Sequence, residues 1–184
     1  QIYTSFNRFT LGLPWNTHSF VGLDNYLSLF TSSQFIHSIK ITVLFTLLVT
    51  SLSLVMGITL ATIVNREFKG KPIVITSILI PQIISPSILG LLWKLMYNSD
   101  YGIINHFTGF LGFEFNWLGP ELAFTSVVIT STWFASSFMA LISLAGLESI
   151  PPQIYEVAKI DGANSIQTFF RITLPMLKPI LGIA

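Results

Sequence analysis

The residues best suited to chemistry lie between Ser149 and Pro175. Glu156, Lys159 and Asp161 stand there among the small Ala158, Gly162 and Ala163, and Ile172, Leu174 and Pro175 follow. Nothing in this set makes or breaks bonds; its chemistry is recognition. The pattern predicts a helix–turn–helix. Ser149 serves as a cap, and Pro151 and Pro152 suit a first helical turn. Ile154, Val157 and Ala158 fall on one face at helical spacing. Asp161-Gly162 ends the helix, because glycine accepts the left-handed backbone there. Asn164 or Ser165 caps a second helix carrying Ile166, Phe169 and Phe170 toward an apolar surface, and Pro175 bends the chain away. Such a pair suits docking into a groove of a soluble partner; it equally suits an interfacial hairpin packed on its own bundle.

Catalytic chemistry finds no candidates. There is no cysteine, and His18, His37 and His106 are isolated, so neither a thiolate nor a metal spacing is present. Serines and threonines are many, but none pairs with a base. The pair Gly70-Lys71 has Asn65 where a phosphate loop needs its first glycine, so the chain is not expected to bind or hydrolyse ATP. The expectation is a non-enzyme that binds no metal and no cofactor of its own.

The elements that must position the 149–175 segment are membrane helices. Of the 184 residues 52% are hydrophobic and only 9% are charged, against about 25% charged in soluble domains. Mean hydropathy is +0.72. A net charge of +1 leaves no basic field for nucleic acid. Crossing the hydrocarbon core takes about 20 apolar residues, and three runs qualify. The expected spans are about 38–64, 72–97 and 122–147, with a further one starting at 174–184. Residues 1–37 form an external segment, or include the tail of an earlier span. Pro14, Trp15, Tyr26 and Phe35 give it aromatic character, and Leu23 to Phe30 reads as a short interfacial helix. The chain starts with Gln and stops inside an apolar run, so it reads as an internal piece, with its span count a minimum.

Orientation follows from loop charges. Arg66, Lys69 and Lys71 outnumber Glu67 in the first connector, whereas Asp100, Glu114 and Glu121 occupy the second without a Lys or Arg. The positive-inside rule puts the first connector in the cytoplasm, and with it the loop 148–175, which carries Lys159 and Arg171. Pro81 and Pro86 predict a kinked second span, either facing a pathway or simply packing in the bundle. Gly57 and Ala61 offer a small-residue step for close helix approach.

The segment Glu156-Val157-Ala158, then Gly162, then Ile172, Leu174 and Pro175, resembles the signature of binding-protein-dependent ABC importer permeases. Both gaps are kept, and Val157 replaces the family's usual Ala. Phe20 to Tyr26, Trp93 to Asn105, Asn116 to Gly119 and Ala145 to Ala163 resemble the carbohydrate-uptake branch of maltose and glycerol-3-phosphate type. The resemblance covers most of residues 20–184. It implies an all-α polytopic bundle of the type I ABC importer transmembrane fold, in a bacterial or archaeal inner membrane. It further implies a cytoplasmic ABC ATPase, which uses the ATP and Mg, docked through Glu156, Val157, Ala158, Asp161, Gly162, Ala163, Ile172, Leu174 and Pro175. A second permease subunit and an external solute-binding protein complete the implied system. For a sugar-like substrate, the expected pathway residues are Gln82, Ser126, Thr130, Trp133 and Ser137, with helix packing as their other role. A permease for another solute class remains open. A secondary transporter would place ionisable groups within its spans; the uncharged runs Ile41 to Val64, Pro72 to Trp93 and Leu122 to Leu147 hold none, and Lys94 sits at a boundary.

Overall fold

Apolar runs of this length must satisfy their backbone polar groups internally, which in lipid leaves the helix. A computed structural model describes residues 2–8 and 19–182. Its chain order begins with helix α1 (Ile2–Ser5), strand β1 (Asn7–Arg8), strand β2 (Ser19–Phe20), helix α2 (Asp24–Thr31) and helix α3 (Ser33–Val64). Then come α4 (Lys71–Ile83), α5 (Pro86–Met96), α6 (Ile103–Phe110), α7 (Ala123–Glu148), α8 (Pro152–Ile160) and α9 (Ser165–Thr168). A π-turn (Phe169–Thr173) leads into α10 (Leu174–Leu181).

Two compact units divide the chain, residues 1–47 and 48–184. In the first, β1 and β2 pair antiparallel with Asn7 opposite Phe20. The side-chain amide of Asn25 donates to the Ser5 and Asn7 carbonyls, and the Ser5 and Tyr26 hydroxyls meet at 2.6 Å. The segment expected to be interfacial is the helix α2. Pro14, Trp15 and His18 lie outside the described residues.

Among the described residues, two helices are long and apolar enough to cross a membrane, α3 and α7. With a rise of 1.5 Å per residue, α3 extends about 48 Å and α7 about 39 Å. Many of the α3 hydroxyls bond back to the preceding turn, as Thr46 does to Thr42 and Thr62 to Ile58. The second apolar run is not the single kinked helix expected over 72–97. It is α4 and α5, bent by 103° at a break, and counts as a third span only if both halves belong to one crossing. Pro86 causes the break. The residue before a proline is driven out of the helical region; Ser85 has φ −59°, ψ 137°, and Ile84 is extended beside it. Pro81 stays inside α4, buried, without breaking it.

In the second unit α7 is the common neighbour. Gly57 of α3 faces it so closely that a Cβ there would lie 2.5 Å from the Met139 Cβ and 2.9 Å from the Ala140 nitrogen. Gly146 of α7 receives α10 the same way, with Leu177 Cδ2 at 2.7 Å from a Cβ built on it. Ala61, Leu147, Ile150 and Leu177 form the buried cluster at this end, with Leu144, Ile154, Tyr155 and Leu181 packed around it. Gly57→Val should therefore destabilise the chain by about 1–3 kcal/mol, the usual cost of overpacking. Gly90→Ala, which meets open space, should not. Thermal unfolding of the detergent-solubilised protein measures both, and equal midpoints for the two variants would contradict the close approach.

Candidate functional site: the helical hairpin between α7 and α10

The hairpin starts later than its sequence suggests. Ser149 does not cap α8; it ends α7, its hydroxyl donating to the Gly146 carbonyl at 2.7 Å. Two successive prolines explain the shift. Pro152 holds Pro151 extended, at φ −58°, ψ 132°, so α8 opens only at Pro152. Its other end follows the expected chemistry. Gly162 takes φ +76°, the Gly162 N–H donates to Lys159, and the Ala163 N–H donates to Ala158 at 2.9 Å. These two bonds satisfy carbonyls that a helix end leaves open. Asn164 then caps α9 reciprocally: its side chain accepts from the Gln167 N–H, and the Gln167 side chain accepts from the Asn164 N–H, both at 2.9 Å.

Pro175 does not break the helix. Residues 165–181 are helical throughout, and Thr173 and Leu174 keep helical angles. Proline lacks an N–H and its ring presses on the carbonyl four residues back. The π-turn at Phe169–Thr173 widens the helix just there, so the chain enters α10 without a break.

The faces of the hairpin also differ from the simple periodicity. Ala158 is buried, and Ile154 and Tyr155 pack on the core cluster. Val157 does not join them; it is 56% exposed, on the outer side with Ile160 at 84%. Ile166 (70%) and Phe170 (61%) are likewise exposed rather than laid on the bundle, and Phe169 meets Phe170 edge-on at 5.1 Å. Glu156, Asp161 and Gly162 are exposed, while Ala163, Ile172 and Leu174 are half-buried and Pro175 is exposed. Glu156 forms no ion pair among the described residues. The hairpin thus seats on the bundle by Ile154, Tyr155 and Ala158 and turns an apolar edge outward.

The five residues named for a pathway do not share one cavity. Gln82 lines a cleft of about 780 Å³ with Phe134 and Phe138, and its amide donates to the Phe134 carbonyl at 3.0 Å. Trp133 and Ser137 line another of about 370 Å³ beside Pro81. Ser126 and Thr130 are tied up at the N-terminal end of α7. Ser126 donates to the Trp117 carbonyl at 2.7 Å; Thr130 donates to the Ser126 carbonyl at 2.9 Å and the Tyr97 hydroxyl at 3.4 Å.

Three aromatic residues and one amide not singled out from the sequence organise this region. Trp133 meets Trp93 at 5.5 Å between ring centres, Trp93 meets Tyr97 at 5.3 Å, and Tyr97 meets Trp117 at 5.6 Å. The four-residue spacing of Trp93 and Tyr97 was a readable signal; their contact with Trp117 was not. Asn105 clips the connector. Its amide donates to the Phe115 carbonyl at 2.8 Å, and its oxygen accepts the Trp117 indole N–H at 3.0 Å. Among the described residues, no three His, Cys, Asp or Glu converge for a metal.

Comparison with known proteins agrees with this architecture. Residues 53–181 match the family described as binding-protein-dependent transport system inner membrane component. The trehalose/maltose transport system permease protein MalF of Thermococcus litoralis is 42% identical over 167 residues, 90% of this chain and 57% of that protein. The sulfoquinovosyl glycerol transport system permease protein SmoG of Agrobacterium fabrum is 40% identical over 189 residues, all of this chain and 60% of that one. The crystal structure of a bacterial alginate ABC transporter, in complex with its alginate pentasaccharide-bound periplasmic protein, contains a similar chain. It superposes with a TM-score of 0.79 at 30% identity, over 88% of this chain and 58% of that chain. This chain thus spans about three-fifths of the length of its relatives. Its apolar helices, its hairpin and the match over residues 53–181 lead to one conclusion: the chain belongs to the family of binding-protein-dependent transport system inner membrane components.

Proposed function

We propose that this chain is a permease subunit of an ATP-driven importer for a sugar or sugar-like solute, and that its 156–175 segment docks a separate cytoplasmic ATPase. One observation carries the reading. Val157 and Ile160 stand exposed on the nine-residue α8, and Ile166 and Phe170 at the start of the 165–181 helical run, beside Glu156, Lys159, Asp161 and Arg171. An apolar edge set among charges suits a groove on a soluble protein. Glu156, unpaired here, is available to a basic group of that partner. Gly162 sets the angle between α8 and α9.

The ATPase supplies ATP and Mg chemistry; this chain supplies the hinged contact. A second permease subunit and an external solute-binding protein complete the system, in the inner membrane of a bacterial or archaeal cell. Residues 1–37 lie outside, the spans cover about 38–64, 72–97 and 122–147, and the loop 148–175 faces the cytoplasm. The sugar class rests on the relatives, named for trehalose/maltose, sulfoquinovosyl glycerol and alginate transport. Within the chain, Gln82, Trp133 and Ser137 border clefts and remain the residues to meet a solute. Ser126 and Thr130 belong to the same proposed route only through their hold on Tyr97.

Three measurements test this. Ile160→Asp combined with Phe170→Asp should weaken ATPase retention on co-purification about 30-fold or more, the effect of losing contacts worth about 2 kcal/mol. Unchanged membrane abundance would accompany it, and undiminished retention would rule out the outer edge as the contact. Glu156→Ala and Gly162→Val should each lower transport-coupled ATP hydrolysis. The valine must bear a left-handed backbone at about 1–2 kcal/mol, and normal coupling and assembly in both variants would end the docking assignment. Trp133→Ala and Gln82→Ala should raise the KM for labelled sugar uptake about tenfold, a loss of about 1.4 kcal/mol; unaltered kinetics would remove both from the route.

A further inference from the structure

A second feature lies on the inner side of the hairpin. A cleft of about 580 Å³ opens where three parts of the chain meet: the end of α3 with the residues just after it, α8, and the run from Ala163 to Thr173. Two cations line it, Arg66 and Lys159, and no Asp or Glu does. The carboxylate next to Arg66, Glu67, is held by Lys71 at 3.2 Å, the ion pair found among the described residues. Among the described residues, then, neither Arg66 nor Lys159 forms an ion pair, and no carboxylate lines the cleft with them. Asn65 and Ser165 add polar groups at its rim. At its floor the Thr173 hydroxyl lies 3.4 Å from the Tyr155 hydroxyl.

We propose that this cleft binds a phosphate-type anion, which ties α8 to the end of α3 and so sets how firmly the hairpin is held for docking. The proposal rests on the docking reading, because α8 is the element being regulated. Arginine presents a planar fork of donors that matches phosphate oxygens, and lysine adds a point charge. Two like charges on one cleft repel until an anion sits between them. The cations come from segments far apart in sequence, so one anion bridges elements that otherwise meet through Ala61, Leu147 and Tyr155. Lys69, Lys71 and Arg171 stand in the same connector and loop, and such a basic end attracts anionic headgroups of the inner leaflet. The phosphate group can come from a lipid headgroup or from free phosphate.

Hydrogen exchange on the assembled transporter, without ATP, reads the clamp directly. Three preparations are compared: phosphatidylcholine nanodiscs, the same with phosphatidylglycerol added, and phosphatidylcholine nanodiscs with inorganic phosphate. Amides from Tyr155 to Thr168 should exchange about tenfold more slowly with the anion at about ten times its Kd. Slowing with phosphatidylglycerol alone identifies a lipid headgroup; slowing with inorganic phosphate identifies the free anion. Arg66→Gln with Lys159→Gln should abolish the slowing, and Arg66→Lys should keep part of it. Both side chains are exposed, so neither change removes packing. Equal slowing in wild type and the double variant, or none in wild type with either anion, overturns the proposal. ATPase retention in the same preparations is scored separately. Its absence from wild type refutes the docking reading, whereas retention without anion-dependent protection refutes the anion site alone.

Discussion

Close approach to α7 is the constraint on which the rest of the 48–184 unit depends. Two glycines set it at two heights, Gly57 bringing α3 onto Met139 and Ala140, and Gly146 receiving Leu177 of α10. Nearer the start of α7, α4 is tied to the α7 backbone by Gln82, and the end of α5 by Tyr97, whose hydroxyl donates to the Ser126 carbonyl at 3.1 Å. In lipid there is no hydrophobic drive between apolar helices, so packing and a few interhelical hydrogen bonds must hold them. Small residues on and against α7 make this packing close. The polar bonds then fix rotation about it, because each needs a particular carbonyl.

That arrangement explains why the hairpin is presented rather than absorbed. The end of α7 is sealed by Leu147, Ile150 and Leu177, and Ala158 is the one residue of α8 small enough to be buried against this end. With Ile154 and Tyr155 filling the remaining contact, one edge of α8 is used, and Val157 and Ile160 turn away. The π-turn before Pro175 has a complementary part. It keeps residues 165–181 in one helical run, so a displacement of α9 is carried straight into α10 and from there to Gly146. A broken helix at Pro175 would absorb that motion.

At the opposite end the connection is aromatic. Trp133, Trp93, Tyr97 and Trp117 touch in series, and Asn105 fixes Trp117 within the connector. The series runs from the connector between α6 and α7 to the neighbourhood of the α4–α5 break, where Pro81 and Trp133 border the same cleft. Rings packed tilted or edge-on fill irregular space with little side-chain freedom to lose. The break at Pro86 thus has α5 with its rings on one side and α4, bound to mid-α7, on the other.

Much of this was legible in the residues. The apolar runs required helices, because lipid offers no other partner for the backbone. Gly162 and Asn164 announced a turn and a cap through local geometry that holds in any surroundings, and the fixed gaps from Glu156 to Pro175 carried the family. Gly57 and Ala61 marked a close contact without saying with what. Other features waited for the tertiary structure. Periodicity put Val157 with Ile154 and Ala158, but the width of the buried stripe is set by how α8 meets Leu147 and Ile150. Pro175 read as a bend, and the chain stays helical through it, with a π-turn in the preceding residues. The runs containing Pro81 and Pro86 gave no hint which proline breaks the helix. Gln82 and Trp133 looked alike as pathway residues and proved to border different clefts, and Arg66 and Lys159 met at a third. The division has one physical cause. Rules of capping, proline and period act within about four residues of each other, so the sequence alone determined that the apolar runs are helical and that the hairpin turns at Gly162 and is capped at Asn164; where the other helices start and break, which faces are buried and which distant side chains share a cleft is decided by helix-on-helix packing, and only the assembled fold contains it.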